Sequence, residues 1–338
     1  MRGLRHEEVL FSPSSYRWRV PTTTITLFAF AAALLALILI PNSVQAQSRV
    51  FVAAQGSDGN PCTFASPCRT FQHAHNVVAA NGEIDVLDPA GYGALTITHA
   101  ISIQGHGFSG ISAPSGNAIT INAGASDVIN LRGLLFDGVG SGSTGIEFNT
   151  GASVNIQNSI IRNFATFGIR FQPTAAGGIV SPTGTSRLSL SQTLVSDLGT
   201  TATAVAIVPV ASGSAIAVVE NVRLDNGGIG LLADGHLTTG ILAVTVLDSV
   251  ISNYANSGIR ATTFLGTTVT MVRNCTVTNS NLAVVTFGTA FMRLMKSTIT
   301  WNGTGIEAFD SSSIVSTGDN LIVGNNGDGL PTSAVQYR

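Results

Sequence analysis

Hydrophobic and polar residues recur as one phrase throughout the second half of this chain. Each copy contains a short alternating strand, a small residue, an aliphatic residue two positions later, Asn two positions further on, and then Gly-Ile. The clearest copies are residues 154–163 with 168–169, and residues 244–253 with 258–259. Alternation of apolar and polar residues is typical of β-strands, because successive side chains point to opposite faces.

The small residue and the aliphatic residue that follows it define the repeat. Successive small residues lie 22 to 34 positions apart, at Gly133, Ser159, Thr193, Val222, Ser249, Cys275, Ser297 and Asn320. The aliphatic residues are Leu135, Ile161, Val195, Leu224, Ile251, Val277, Ile299 and Ile322. A period in the twenties with a variable excess indicates one supersecondary unit per repeat, with insertions in a loop.

Each repeat contains three strand-like runs, which in one copy are residues 244–246, 249–251 and 258–260. Three short strands joined by turns form one triangular coil, and successive coils stack as parallel strands about 4.8 Å apart. A leucine-rich repeat has a similar period, but it requires Leu at fixed spacings and a helical segment, whereas these positions are mostly Ile and Val. The sequence therefore predicts an all-β fold, a single-stranded right-handed parallel β-helix with three short strands per coil and about nine to ten coils.

A row of Asn residues follows the aliphatic row by two positions. Its members are Asn163, Asn226, Asn253 and Asn279, with Asp197 and Asp137 in two other copies. Asn tolerates the left-handed backbone conformation and bonds to neighbouring backbone groups, so we interpret this row as a structural ladder at a corner of the coil. Cys275 occupies the small inward position, which predicts a buried thiol.

Residues 47–94 differ from the repeats and precede the β-helix, which is predicted over residues 95–338. Within this N-terminal segment, Thr70 to Ala80 is predicted to form a short helix. Thr70 can cap it, apolar residues recur at helical spacing, and Asn81-Gly82 ends it. An open stack of coils exposes the edge and core of its first coil, so a capping helix is expected there.

An apolar run precedes this segment. It covers the 16 residues 25–40, follows the basic residues Arg17 and Arg19, and is ended by Pro41. This layout predicts a secretory signal peptide over residues 1–46, with cleavage near Ala46/Gln47, and a secreted or periplasmic protein without membrane association after cleavage. The alternative is an uncleaved membrane anchor, although the run is shorter than the roughly 20 residues that span a bilayer.

Composition and charge argue against a disordered protein and against a nucleic-acid-binding protein. Only 10% of the residues are charged and 44% are hydrophobic, so the chain has ample apolar surface to bury and is not disordered. Removal of residues 1–46 leaves 12 basic and 16 acidic residues, a net charge of −4. Such a surface offers no basic field for phosphates, which argues against nucleic-acid binding.

The three cysteines divide into a close pair and a single residue. Cys62 and Cys68 lie in one Pro-containing loop, and export exposes them to oxidising conditions, so a disulfide is predicted between them. A metal site requires further ligands. His73 and His75 are nearby, but positions i and i+2 of a helix do not share a face. We therefore expect no metal site and no cofactor.

Three segments near the N-terminus resemble a known group of proteins. They are residues 51–60 (Phe-Val-Ala-Ala-Gln-Gly-Ser-Asp-Gly-Asn), 67–74 (Pro-Cys-Arg-Thr-Phe-Gln-His-Ala), and 83–88 (Glu-Ile-Asp-Val-Leu-Asp) with Gly91-Tyr92. Together with the repeat, they are similar to secreted bacterial right-handed parallel β-helix proteins of the pectate-lyase-like superfamily. The resemblance implies the fold and an extracytoplasmic location. Members include polysaccharide lyases, glycosidases, esterases and adhesins, so the fold leaves the function open.

Two enzyme motifs of such proteins are incomplete here. Gly105-His106-Gly107 resembles a motif of polygalacturonase-type hydrolases, but the chain contains no Asp-Asp pair to supply the acids that glycoside hydrolysis needs. A lyase needs clustered acids for Ca²⁺ and an Arg base, and the aligned positions of neighbouring repeats bring no two carboxylates together. We interpret residues 105–107 as a turn, and we expect Ca²⁺ only if the protein is a lyase.

The remaining candidates for ligand contact are cationic and aromatic residues. Arg170 and Arg260 follow Gly-Ile in different repeats and are expected about 14 Å apart, which suits an extended polymer. The candidate binding residues are Arg162, Arg170, Tyr254, Arg260 and Trp301. The leading hypothesis is a β-helix protein that binds a polysaccharide or cell-envelope glycan without a catalytic site. The alternatives are a pectate-lyase-like polysaccharide lyase or glycoside hydrolase, and a structural or adhesive surface protein.

Overall fold

The computed structural model describes residues 47–174 and 185–335. These residues form a right-handed parallel β-helix, which confirms the predicted fold class. The predicted signal peptide, residues 1–46, lies outside the described residues, as does part of the longest insertion between two repeats. Within the described ranges, no helix is long and apolar enough to cross a membrane.

One helix and 27 strands make up the described part of the chain. The helix is α1 (Phe71–Val77). The first nine strands are β1 (Gln47–Val52), β2 (Val78–Val86), β3 (Ala90–Gly91), β4 (Leu95–Ile97), β5 (Ile101–Ser112), β6 (Asn117–Asn122), β7 (Val128–Asp137), β8 (Thr144–Thr150) and β9 (Ser153–Gln157). The next nine are β10 (Ile160–Arg162), β11 (Phe167–Phe171), β12 (Thr185–Ser191), β13 (Leu194–Ser196), β14 (Thr203–Ile207), β15 (Ser214–Glu220), β16 (Arg223–Asp234), β17 (Ile241–Leu247) and β18 (Val250–Thr263). The last nine are β19 (Thr267–Arg273), β20 (Thr276–Thr278), β21 (Leu282–Gly288), β22 (Phe291–Met295), β23 (Thr298–Thr300), β24 (Thr304–Ala308), β25 (Ser313–Ser316), β26 (Leu321–Ile322) and β27 (Ser333–Ala334).

The strands form three parallel sheets around one core. Sheet A contains β1, β2, β9, β12, β15, β17, β19, β22, β25 and β27, with the first parts of β5 and β7. Sheet B contains β3, β10, β13, β20, β23 and β26, with the second parts of β5 and β7 and the first parts of β16 and β18. Sheet C contains β4, β6, β8, β11, β14, β21 and β24, with the second parts of β16 and β18. In the described residues, nine successive turns contain one strand of each sheet, from β2, β3 and β4 to β22, β23 and β24, in agreement with the nine to ten coils expected.

Inward side chains of equivalent positions stack directly on one another. The inward row of sheet B consists of Ile111, Phe136, Ile161, Val195, Leu224, Ile251, Val277, Ile299 and Ile322. All of these except the last are fully buried. The predicted aliphatic row is therefore confirmed with one correction. Phe136 rather than Leu135 pairs with Ile161, because the first copy is shifted by one residue.

The Gly of each Gly-Ile phrase is required where sheet C begins. A Cβ on Gly258 would lie 2.5 Å from Val277 Cγ1 and 2.8 Å from the carbonyl oxygen of Ala283. Both contacts are too short for a side chain in a core packed to crystal density. The corner between sheets B and C therefore brings the backbone against the inward row of sheet B.

The Asn row lies at this same corner, as predicted. Asn163, Asn226, Asn253 and Asn279 have φ values of 59°, 66°, 66° and 53°, in the left-handed region. The side chains also bond along the stack, since Asn253 Nδ2 donates to Asp225 and Asn279 Nδ2 donates to Asn253, both at 2.5 Å. Asn therefore suits this corner for two reasons. It tolerates the left-handed backbone conformation, and its side chain forms hydrogen bonds with the neighbouring coils.

A second left-handed row lies at the corner between sheets A and B. Its members are Asn158, Gln192, Asn221, Asp248, Asn274 and Lys296, with φ values of 48° to 53°. These residues are exposed, and they lie in turns between strands rather than within a strand. Their side chains are too varied to reveal a turn, because Gln and Lys rarely adopt this conformation.

The small inward residues that follow this corner bond to the backbone of the preceding coil. The hydroxyls of Ser159, Ser249 and Ser297 accept hydrogen bonds at 3.2 Å from the N–H groups of Leu134, Val222 and Cys275. The Ser residues of this row therefore supply acceptors for backbone N–H groups that would otherwise be unpaired at the turn. Cys275 is buried in this row, as predicted, and burial raises the pKa of its thiol to about 11.

The N-terminal helix is confirmed but is shorter than expected. It covers Phe71–Val77 rather than Thr70 to Ala80, and Thr70 caps it by accepting a hydrogen bond from the N–H of His73. Val78 already belongs to β2, because its burial and the pairing of β2 with β1 outweigh the helical spacing. The helix packs on β1, β2 and β4.

His75 joins this helix to the first coil. The side chain is 2% exposed, its Nε2 accepts a hydrogen bond from the N–H of Thr98 at 3.1 Å, and its ring lies 4.2 Å from that of His99. Burial, with a smaller contribution from His99, lowers the pKa of His75 below 6.5, whereas Asn76 opposes the shift. The neutral imidazole is therefore the form that the folded protein holds.

We expect the protein to lose stability as the pH falls below about 6.5, because the unfolded chain then binds a proton that folded His75 does not. The contribution of His75 is complete above that pH and decreases below it. His75→Gln should flatten the dependence of Tm on pH between about 7.5 and 5, because a glutamine oxygen accepts the Thr98 N–H without titrating. Calorimetry of both proteins measures this, and equal slopes would contradict the assignment.

Candidate functional site

The predicted binding residues lie on different surfaces of the coil. Arg162 is on sheet B, where its Nε donates to Asp137 at 3.0 Å. Arg170 and Arg260 share one outward row of sheet C, separated by β14 and β16, so their Cα atoms lie about 14 Å apart, as predicted. Trp301 is 77% exposed at the corner between sheets B and C. The structure does not gather these residues into one site.

Most of the predicted cations already have partners. Arg170 Nε donates to both carboxylate oxygens of Glu147 at 2.8 Å. Glu147 is 2% exposed, and burial raises its pKa although Arg170 acts in the opposite direction. The Arg260 guanidinium lies over the ring of Phe287, 4.5 Å from its centroid. These side chains are engaged in packing and pairing within sheet C.

Tyr254 does not contact solvent, and its assignment to a binding surface was wrong. It is 1% exposed, because the chain turns inward directly after the left-handed residue Asn253. Phe164 and Leu198 occupy the equivalent position in earlier coils and are also buried. The Tyr254 hydroxyl has no hydrogen-bond partner among the described residues, and burial raises its pKa well above 10.

A continuous polar surface instead covers the outer face of sheet A in the first half of the β-helix. We call it the polar face; it consists of Glu83, Ser102, Asn130, Asn155 and Ser189 in one row, and Asp85, Gln104, Arg132, Gln157 and Ser191 in the adjacent row. The rows cross five neighbouring strands, β2, β5, β7, β9 and β12, over about 19 Å. All ten side chains are at least partly exposed.

Hydrogen bonds orient the amides of the polar face. Asn155 Nδ2 donates to Asn130 Oδ1 at 2.8 Å, and Asn130 Nδ2 donates to Ser102 Oγ at 3.2 Å. Each amide carries two donors and an acceptor with two lone pairs, so this ladder leaves further donors and acceptors directed outward. The face is therefore preorganised for a ligand with repeated hydroxyl groups.

His106 borders the polar face, two residues after Gln104 in β5. Its Nε2 lies 2.6 Å from Asp85 Oδ1, and its backbone is left-handed with a φ of 56°. An ionised carboxylate only accepts hydrogen bonds, so Nε2 donates and Nδ1 of the neutral ring carries a free lone pair. The side chain is 47% exposed. This pair gives the turn at residues 105–107 an exposed, hydrogen-bonded imidazole that can exchange protons, which its incomplete motif did not predict.

Arg132 lies on the strand next to that of His106, opposite Gln104. A Cβ on the following residue, Gly133, would be 2.9 Å from the backbone nitrogen of His106, so the two strand ends are in contact. Arg132 is exposed and has no ion-pair partner among the described residues. Its guanidinium is free to bind a carboxylate.

Exposed phenyl rings flank the same surface. Phe108 is 39% exposed, and its ring stacks on His106 at a centroid distance of 5.8 Å. Phe64 is 69% exposed and meets Phe51 edge to face at 5.5 Å, while Phe51 pairs with Asp85 at the end of the polar face. Aromatic rings at the border of a polar surface provide area for apolar faces of a ligand.

One cluster in the described ranges brings three potential metal ligands within 4.8 Å of one another, Cys62, Cys68 and His73. The two cysteines form the predicted disulfide, with a Cα–Cα distance of 4.6 Å. Disulfide sulfurs are not the thiolates that bind metal ions. This cluster is therefore not a metal site in the oxidised protein.

Sequence reasoning missed the polar face because of register. Arg132 and Asn158 directly precede the small residues Gly133 and Ser159, so the repeat alignment equates them, whereas the structure pairs Arg132 with Gln157. The signal was present in the alternation of Asn130 with Arg132 and of Asn155 with Gln157. A one-residue slip moves side chains to the opposite face, so it hid the row.

Comparisons with known proteins identify the fold. No family profile and no curated protein matches this chain. A solved structure of the Geobacillus virus E2 ORF18 protein matches with 10% identity and a TM-score of 0.51, over 91% of this chain and 66% of that protein. Pectate lyase Pel9A matches with 9% identity and a TM-score of 0.45, over 81% and 69% of the respective chains.

The A-module of mannuronan C-5 epimerase AlgE6 from Azotobacter vinelandii matches with 11% identity and a TM-score of 0.40, over 76% and 88% of the respective chains. The match to the virus protein supports the shared architecture and nothing about chemistry, since one fold hosts many functions. The resemblance inferred from the N-terminal segments is thus confirmed at the level of the fold.

The buried position of Tyr254 leads to a test of its role. Tyr254→Phe should leave stability unchanged or increase it by about 1 kcal/mol, because it removes an unpaired buried hydroxyl. Tyr254→Ala should cost about 3–5 kcal/mol through the cavity it creates. Chemical denaturation of the three proteins measures both effects. A large loss of stability in Tyr254→Phe would indicate that the hydroxyl has a partner.

Proposed function

We propose that this protein binds an extended polysaccharide along the polar face of sheet A, outside the cytoplasm. The observation that carries the proposal is the ladder of outward hydroxyl and amide groups, represented by Ser102, Asn130 and Asn155, across consecutive parallel strands. Parallel pairing repeats these groups every 4.8 Å or so. A ligand that repeats its own hydroxyl groups along a chain can match such a row.

The other groups around the polar face favour a carbohydrate. Phe64 and Phe108 expose rings that can stack on the apolar faces of sugars. Arg132 can bind the carboxylate of an acidic sugar. The net charge of −2 for the full chain supplies no field for a nucleic acid. Extracytoplasmic location is supported by the Cys62–Cys68 disulfide, because such bonds persist in oxidising compartments.

Removal of two ladder amides tests this function. Asn130→Ala/Asn155→Ala should weaken binding to a glycan retained on a glycan array by about 30-fold, since the two lost hydrogen bonds contribute about 1 kcal/mol each. The matched control is Asn122→Ala/Asn149→Ala, which removes a similar amide pair on sheet C, where Asn149 Nδ2 donates to Asn122 Oδ1 at 2.9 Å. Equal weakening by both variants, or no retained glycan, would contradict the proposal and favour a structural or adhesive role.

The Asp85–His106 pair supports a second candidate function, the cleavage of a uronate polymer. His106 Nδ1 would take the proton from the carbon beside the sugar carboxylate while Arg132 neutralises that carboxylate. The electrons of the C–H bond form a C=C bond, the glycosidic C–O bond breaks, and water protonates the departing oxygen. Calcium remains a prediction of this alternative only.

Formation of unsaturated product distinguishes this alternative. If the protein is a lyase, uronate polymers should yield an ultraviolet-absorbing product, and His106→Gln should reduce the rate by at least about 100-fold. His236→Gln is the control, because His236 is an exposed histidine beside Phe264, away from the polar face. Absence of product from wild-type protein, with and without added Ca²⁺, would exclude this function and leave binding.

A further inference from the structure

The outer face of sheet A changes character in the second half of the β-helix. On β15, β17 and β19 the outward side chains form an apolar face, which consists of Ile216, Val218, Ala243, Thr245, Val269 and Met271. Ile216, Val218 and Val269 are 38%, 36% and 38% exposed, and Ile241 at the margin is 49% exposed. Contiguous apolar surface of this kind marks an interaction site in a soluble protein.

The shape and composition of this face suit another β-sheet. The strands are parallel, and the exposed side chains are mostly β-branched or small. Sheets with such side chains pack face to face about 10 Å apart, with their strands within about 30° of each other. The partner implied by this geometry is a second flat sheet.

The apolar face is symmetric about β17. Ile216 on β15 occupies the same row as Val269 on β19, and Val218 occupies the same row as Met271. Ala243 and Thr245 lie between them on the central strand. A two-fold axis parallel to β17 therefore places large residues opposite large residues and small residues at the centre.

At the margin of this face, an acidic residue on one side of β17 lies in the same row as a basic residue on the other side. Glu220 on β15, Leu247 on β17 and Arg273 on β19 form the next row. Both charged residues are exposed, and neither belongs to an ion pair among the described residues. A second copy related by the two-fold axis brings Glu220 of each copy to Arg273 of the other. A self-complementary pattern of this kind is what an isologous interface requires.

We infer that two copies of this chain pair through the apolar face, related by a two-fold axis parallel to β17. Glu220 then faces Arg273 of the partner subunit, and Arg187 on β12 faces Phe291 of the partner subunit, where a guanidinium and a ring attract each other. Asp248 meets its own copy near the axis, but it lies in the turn after β17, at the solvated rim.

The area available is sufficient for a reversible dimer. Five strands, from β12 to β22, and about six residues of each give a footprint of roughly 24 Å by 20 Å. Both copies together then bury about 1,000 Å², which is the lower limit of a specific interface. We therefore expect a dimer that dissociates on dilution.

The arrangement also has a consequence for the polar face. With the axis at β17, the last coils of the partner subunit overlie β7 and β9, which carry Asn130 and Asn155. Dimer formation and ligand binding on those strands therefore compete. The pairing itself does not depend on the proposed glycan, and it is expected in the absence of any ligand.

Sedimentation velocity of the purified full chain, from about 1 to 100 µM, tests the pairing. The wild-type protein should form dimers as concentration rises. Glu220→Arg and Arg273→Glu should each weaken dimerisation by more than about tenfold, because like charges then face each other. The double variant Glu220→Arg/Arg273→Glu should restore dimerisation, because the opposite charges again meet across the axis.

Glu307→Arg, a charge reversal on sheet C, is the matched control and should leave dimerisation unchanged. Circular dichroism establishes that each variant is folded. A wild-type protein that stays monomeric at 100 µM or so overturns the inference, as does a dimer unaffected by either single reversal. Failure of the double reversal to restore dimerisation overturns the pairing of Glu220 with Arg273. The array measures glycan binding separately, so failure of the pairing and failure of the proposed function are distinguishable.

Discussion

Backbone hydrogen bonding between successive coils is the constraint on which the rest of this structure depends. A single coil leaves the N–H and C=O groups of its three strands unpaired, and it cannot enclose its own apolar side chains. Parallel stacking resolves both problems, because Ile161 lies against Phe136 on one side and Val195 on the other. Every inward position must therefore accept a similar side chain in each coil, and this requirement produces the repeat.

At the corners, polar side chains form hydrogen bonds with backbone groups that the strands leave unpaired. The chain turns through left-handed residues such as Asn158 and Asn163, and the hydroxyl of Ser159 accepts a hydrogen bond from the preceding coil at the N–H of Leu134. Polar residues at the corners and in the core are thus engaged in holding the coils together. Side chains at outward strand positions are not needed to hold the coils together, since the backbone groups of the strands are already paired with each other. They are the positions at which function can vary without loss of the fold.

Sheet A uses that freedom in two ways along its length. Its first coils present amides, an Asp–His pair and Arg132, which has no ion-pair partner in the described part of the chain. Its later coils present Ile216, Val218 and Val269. The first half is suited to a hydrated, hydrogen-bonding ligand, and the second to a dry contact with another sheet. Because both surfaces share one face, a partner that covers one reaches the other, and occupancy of the two is coupled.

The sequence by itself determined the repeat, and with it the fold class, the inward row of sheet B, the Asn corner and the burial of Cys275. These features depend on spacings within one coil, which every copy shows again. Tyr254 was misplaced because the direction in which the chain leaves Asn253 depends on packing around the corner. Only the tertiary structure decided that His106 pairs with Asp85 and that Arg132 lies in the same row two strands away, since insertions of variable length shift the register between coils. Outward residues of distant segments meet through that register, and no spacing along the chain specifies it.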